Sequence, residues 1–112
     1  RLKELELIND LVYGESYVRT NVRLSDKGPK KITQQLQQKG LKPEIIEQAL
    51  LQYPEEEQIA IASQTAEKLI NKNHGKSHKE LFRKIQQNLM TKGFTQEAIQ
   101  QAILSHRLLL FT

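Results

Sequence analysis

One stretch of this sequence occurs twice, and the duplication narrows the fold to a modular one. The first copy is Lys30-Lys31-Ile32-Thr33-Gln34-Gln35-Leu36-Gln37-Gln38-Lys39-Gly40-Leu41; the second is Arg83-Lys84-Ile85-Gln86-Gln87-Asn88-Leu89-Met90-Thr91-Lys92-Gly93-Phe94. At the offset that aligns Gly40 with Gly93, Glu44 falls on Glu97, Ile46 on Ile99, Ala49 on Ala102 and Leu50 on Ile103. A period near fifty residues is the mark of an array whose units bury their apolar faces against each other. Each copy holds two basic residues, an apolar pair spaced i, i+4, a Lys-Gly stop and a second short apolar stripe. The physical reading is a basic helical hairpin, built twice.

The rest of the chain extends each hairpin to three helices. A helix is predicted over about Asp10–Leu24, with Leu11, Gly14, Val18 and Val22 on one face and residues Arg1 to Ile8 as a lead-in. Gly14 costs about 1 kcal/mol relative to Ala inside a helix, a cost that a close helix–helix approach would explain. Pro29 suits a first helical position, where its missing N–H has no intrahelical partner in any case. The second helix runs to about Gln38, with Ile32 and Leu36 inward, and Gly40 takes the left-handed position after it. The third starts at Pro43 and stops at Tyr53-Pro54. Glu55-Glu56-Glu57 opens the fourth at its positive end, with Ile59, Ala62, Ala66, Leu69 and Ile70 as the inner stripe. Ser77-x-x-Glu80 reads as a capping box for the fifth, and Thr95 caps the sixth. No stretch alternates at period two for long. The expected fold is therefore all-α: tandem three-helix repeats in an elongated or curved array, with one unit over 1–53 and the second, with an apolar tail, over 54–112. Units of this size bury little surface alone, so the two should lean on each other.

Seventeen Lys and Arg against thirteen Asp and Glu give a net charge of +4, which favours an acidic partner. The absence of cysteine excludes disulfides and thiol chemistry, and fits a cytoplasmic protein. No apolar run approaches the length that spans a bilayer. The sequence opens on Arg1 rather than Met and carries no signal-peptide pattern, so it reads as a piece of a longer chain.

Basic residues recur at equivalent places: Lys30 with Arg83, Lys31 with Lys84, Lys39 with Lys92. Arg19, Arg23 and Lys27 step along one long helix at i, i+4, i+8, and Lys68, Lys72 and Lys76 along the other. Such rows can follow a phosphate track or an acidic groove, although a solvated helix face is the usual fate of a charge row. The candidate binding residues are Arg19, Arg23, Lys27, Lys30, Lys31, Lys72, Lys76, Arg83 and Lys84. Tyr13 and Tyr17, four apart, are expected to pack in core or groove, and Gln34, Gln35, Gln37 and Gln38 to lie on plain helix surface. His74 and His78 straddle a Gly-Ser loop, a poor frame for zinc, and His106 has no evident partner. No Ser, Lys or Tyr has a His neighbour that would activate it, and there is no Gly-rich phosphate loop. The residues suggest neither an enzyme nor a bound cofactor or metal. The competing reading is a helix-turn-helix-like regulator acting on duplex DNA.

The run Asn9-Asp10-Leu11-Val12-Tyr13-Gly14-Glu15-Ser16-Tyr17-Val18-Arg19, then Arg23, then Lys27-Gly28-Pro29-Lys30-Lys31-Ile32 through Leu36-Gln37-Gln38-Lys39-Gly40-Leu41, resembles the RecX family, regulators of the RecA recombinase. Leu89-x-x-Lys92-Gly93-Phe94 is similar to the hairpin of that family's third unit, and the likeness covers roughly residues 9 to 106. Asn9 stands where the family commonly has an acid, and Tyr13 where it has Phe. The family's first unit has no counterpart here, so the chain reads as a C-terminal two-unit fragment. The resemblance implies a cytoplasmic, non-enzymatic regulator that binds the RecA filament on DNA, and a monomer is expected. It implies modulation of RecA's ATPase, strand exchange and co-protease activity in recombination, DNA repair and the SOS response, with single- or double-stranded DNA touched through the basic face and no membrane involved.

Overall fold

The computed structural model describes residues 2–73 and 75–106. Among them the order is α1 (Leu2–Leu24), α2 (Pro29–Gln38), α3 (Pro43–Ala49) with a 3-10 turn over Leu50–Gln52, α4 (Glu55–Lys72), α5 (His78–Thr91) and α6 (Gln96–Ser105). The molecule is a rod of 60 × 22 × 21 Å. The fold class expected from the repeat is the one observed: tandem three-helix repeats in an elongated array.

α1 begins eight residues earlier than its predicted start. Residues 2–8 hold Leu, Lys and Glu, which lose little side-chain freedom in a helix, with one Ile and neither Pro nor Gly. Charge mixed with leucine obscured a periodic face there, because much of that face is solvent-exposed: Leu5 and Ile8 are each 58% exposed. The apolar tail expected to pack across the array lies outside the described residues.

Each unit has its own core. Val18, Ile32, Leu36, Ile46, Ala49 and Tyr53 form the first; Ala62, Ala66, Ile85, Leu89, Phe94 and Ile99 are at the centre of the second. Gly14 explains itself: a Cβ there would lie 3.1 Å from the Ala49 Cβ and 3.2 Å from Leu41 Cδ2, so α1 presses on α3 at the glycine. Tyr53 closes the first unit by donating its hydroxyl to the Lys27 carbonyl at 3.0 Å, and burial raises its phenol pKa. The predicted caps form, with Glu80 N–H donating to Ser77 Oγ and Ala98 N–H to Thr95 Oγ1, both at 3.2 Å.

The units meet where α5 ends and α2 begins. Gly28 N–H donates to the Lys92 carbonyl at 2.7 Å, and Lys30 N–H to the Gly93 carbonyl at 2.9 Å. The first N–H groups of a helix and the last carbonyls of a helix lack intrahelical partners; here two donors at the start of α2 meet two carbonyls just past the end of α5. The approach leaves no room for a side chain. A Cβ on Gly28 would fall 2.4 Å from the Gly93 carbonyl carbon, and one on Gly93 would fall 2.4 Å from Lys31 N. Ile61 packs against both cores, and Lys92 forms an ion pair with Asp26 across the joint.

Gly40 and Gly93 therefore separate two effects. Both are left-handed, at φ +87° and +92°, but Gly40 has nothing within 4 Å of its missing Cβ. Gly40→Ala should cost only the left-handed strain of about 1–2 kcal/mol. Gly93→Ala adds an overlap with backbone and should cost at least about twice as much. Urea denaturation followed by circular dichroism compares them directly.

Candidate functional site

The clefts of the molecule follow from the joint. One, of about 410 Å³, lies between the end of α1 and the middle of α4, with Arg23, Ser25, Asp26, Ile61, Gln64, Thr65 and Lys68 among its walls. A second, of about 490 Å³, shares Asp26, Thr65 and Lys68 with it and continues to Lys72, Asn88 and Lys92. A third, shallower one shares Asn88 and Lys92 and reaches Lys84. The helical rows explain the lining: Lys68 and Lys72 are one turn apart on α4, and Lys84, Asn88 and Lys92 are successive turns along α5 and its cap.

The electrostatics are lopsided. Among the described residues, five cations, Arg23, Lys68, Lys72, Lys84 and Lys92, line these adjoining clefts, and Asp26 is the one carboxylate on their walls. Lys92 beside Asp26 holds its carboxyl below the usual range, with Lys68 adding to the effect and partial burial opposing it. Lys76 and Lys72 crowd Lys84 and push its ammonium below the usual lysine range, while Lys84 donates to Asn73 Oδ1 at 3.0 Å. Asn88 Oδ1 is buried with no hydrogen-bond partner among the described residues.

The structure brings together only some of the residues singled out from the sequence. Arg23 and Lys72 line the connected clefts, and Lys76 and Lys84 gather at their α5 side. Arg19 instead donates to Gln52 Oε1 at 3.3 Å, and Lys27 to Gln35 Oε1 at 3.4 Å. Lys30 lines a separate cleft with Glu55 and Glu97, and the Lys31 backbone sits against Gly93. Arg83 is exposed on α5. Lys68 and Lys92 belong to the clefts but were left out of the candidate set. Lys68 stood in the four-step row, and Lys92 matched Lys39 in the repeat, so both carried a sequence signal.

Three expectations need correction. Gln35 is not plain surface: it also accepts from the Tyr17 hydroxyl at 2.7 Å. Of the two tyrosines, Tyr17 is half-buried but Tyr13 is 44% exposed. His106 has a partner after all, since its Nε2 lies 3.2 Å from Ser63 Oγ and 3.0 Å from the Ser63 carbonyl oxygen. A carbonyl only accepts, so the carbonyl contact requires a protonated Nε2. That nitrogen is then no base for the hydroxyl, and the contact ties the end of α6 to α4. His74 lies outside the described residues.

These features define a tandem helical-repeat protein with a basic cleft across the joint between its units. The family description "RecX, second three-helix domain" matches residues 9–50, and "RecX, third three-helix domain" matches residues 55–103. The chain belongs to the RecX family. It is 47% identical over 103 residues to the regulatory protein RecX of Enterococcus faecalis and 38% identical over 103 residues to that of Bacillus pumilus, each alignment covering 92% of this chain and 39% of the relative. The crystal structure of RecX from Lactobacillus salivarius superposes with a TM-score of 0.88 at 43% identity, covering 96% of this chain and 70% of that one. A second crystal structure of a regulatory protein RecX gives 0.76 at 37% identity, covering 81% and 45%. The chain thus spans about two fifths of the length of these curated relatives, and its family is a regulatory one.

The Asp26–Lys92 pair has a signed pH dependence. A carboxyl whose pKa is depressed on folding stabilises the fold above the unfolded value, about 3.9 for Asp, and that stabilisation is lost as pH falls through the folded value. Asp26 is half exposed, so screening limits the pair to no more than about 1 kcal/mol. Asp26→Asn should therefore lower stability slightly at neutral pH, and the difference from the parent should vanish at acid pH, as read by urea denaturation at both.

Proposed function

We propose that this chain is a regulatory segment that binds the RecA recombinase filament on DNA and restrains its ATP hydrolysis, strand exchange and co-protease activity. The observation that supports this most is the cation-rich run of clefts, lined by Arg23, Lys68, Lys72 and Lys84, whose one carboxylate among the described residues is already committed to Lys92. A long polyanion, whether phosphate backbone or acidic protein surface, suits a narrow rod with such a cleft. The act is occlusion and a change in filament stability rather than bond chemistry. The protein works as a cytoplasmic monomer, and Arg19, Lys27, Lys30, Lys31 and Arg83 serve at the margins of the contact, outside the clefts.

Replacing Lys68, Lys72, Lys76 and Lys84 together by Glu should abolish inhibition of ATP hydrolysis by RecA-coated single strands while leaving the helical circular dichroism intact. The parent protein's inhibition should weaken steeply with salt, because each neutralised phosphate releases counterions. Inhibition that survives the charge reversal would remove the basic-cleft reading. Tight binding to bare duplex with no effect on RecA would favour a helix-turn-helix regulator instead.

A further inference from the structure

Asp26 is out of keeping with the clefts it lines. It lies in the loop 25–28 between α1 and α2, on the walls of both larger clefts. Its side-chain partner among the described residues is Lys92, from the other unit. Lys68 is near enough to act on it as well. The Asp26 side chain is half exposed and the Lys92 side chain is the better covered of the two. The other cleft lysines are not neutralised in this way. Among the described residues, Lys68 and Lys72 pair with no carboxylate, and Lys84 donates to the uncharged Asn73.

A carboxylate held by a cleft lysine is an oxyanion already standing where an external one would bind. A ligand must take Lys92 from it, and the freed carboxylate then faces the ligand as a like charge. Asp26 can leave at small cost, because at the surface water replaces its partner. An isolated anion gains little by the exchange, one oxyanion for another. A chain of phosphates gains more. Contacts at Lys68 and Lys72, one turn apart on α4, hold its next phosphate near Lys92 at a high effective concentration. A folded acidic surface carries its carboxylates at no such covalent spacing.

We infer that the Asp26 carboxylate marks an oxyanion subsite of the cleft, which one phosphate of an oligophosphate or a nucleic-acid strand fills by displacing Asp26 from Lys92. Asp26 is then the residue that sets the cleft's affinity: it holds Lys92 in the free protein and weakens each ligand that enters. The subsite belongs to the basic cleft proposed above and stands on that reading. It has a signature that a merely structural ion pair lacks. Removing the charge at Asp26 weakens the fold slightly and tightens the ligand, two opposite signs from one substitution.

Two probes, inorganic tripolyphosphate and a short oligothymidylate, are titrated at low salt into the parent and three variants, with calorimetry as the readout and circular dichroism as the check on helicity. The variants are Asp26→Asn, Asp26→Asn combined with Lys92→Gln, and Glu47→Gln. The last makes the same charge change at an exposed position outside these clefts. Asp26→Asn should bind about fivefold tighter than the parent, the effect of one like charge at contact distance in water. Glu47→Gln should stay within about twofold of the parent. Adding Lys92→Gln to Asp26→Asn should return the affinity to the parent's or below. A gain with tripolyphosphate alone assigns the subsite to a free oligophosphate, and a gain with the oligothymidylate assigns it to a strand. Unchanged affinity in Asp26→Asn, an equal gain in Glu47→Gln, or a gain that survives Lys92→Gln overturns the subsite. So does an oligoglutamate of matched charge that binds tighter than either phosphate probe. A parent that binds neither probe removes the basic cleft and the subsite together, whereas a parent that binds, with no gain in Asp26→Asn, removes the subsite alone. Should Asp26→Asn lose helicity, Asp26→Ser is read by the same criteria.

Discussion

Two main-chain hydrogen bonds between Gly28 and Lys92 and between Lys30 and Gly93 hold the relative position of everything else. Each contributes about 0.5–1.5 kcal/mol net, a modest sum. Their importance lies in what they exclude. The two units have separate cores, so without these bonds their orientation would rest on side chains such as Ile61 and the Asp26–Lys92 pair. Backbone meeting backbone with no Cβ between them leaves one way to fit. The clefts inherit that rigidity, because Asp26 and Arg23 come from one side of the joint and Lys68, Lys72 and Lys92 from the other.

The hairpins were legible in the sequence because local rules govern them. Ile32 and Leu36 or Ile85 and Leu89 give the buried face, a Lys-Gly stop gives the end, and Ser77 and Thr95 give the caps. What the sequence could not distinguish was Gly40 from Gly93. Each follows a lysine and precedes a large apolar residue, Leu41 or Phe94, at nearly the same φ, and only the fold decides that one is covered. Ile61 was invisible for a related reason: it sits off the inner stripe of α4, at the edge where it packs on the first unit's core as well as its own. The start of α1 was missed because its first turns have little core to reveal them.

The candidate site was legible in charge but not in grouping. Helical rows in steps of four show where cations stand on one helix, and Lys68 and Lys72 followed that rule. They do not show which carboxylates come near. Lys30 and Arg83 occupy equivalent places in the repeat, yet Lys30 shares its cleft with Glu55 and Glu97, residues from the other unit. Asp26 lies in the loop between α1 and α2, and its partner Lys92 is far away along the chain. Pairings of this kind come from the joint, and no periodicity within one unit encodes them.

The helix openings differ in one further way. α2 opens on Gly28, which has no side chain, whereas α5 opens on Ser77, whose hydroxyl is turned back onto Glu80 N–H. The serine carries the Cβ that the glycine's position forbids. The two openings are therefore unlike: Gly28 lets a neighbouring main chain come within hydrogen-bonding reach, and Ser77 sets a Cβ at the equivalent place.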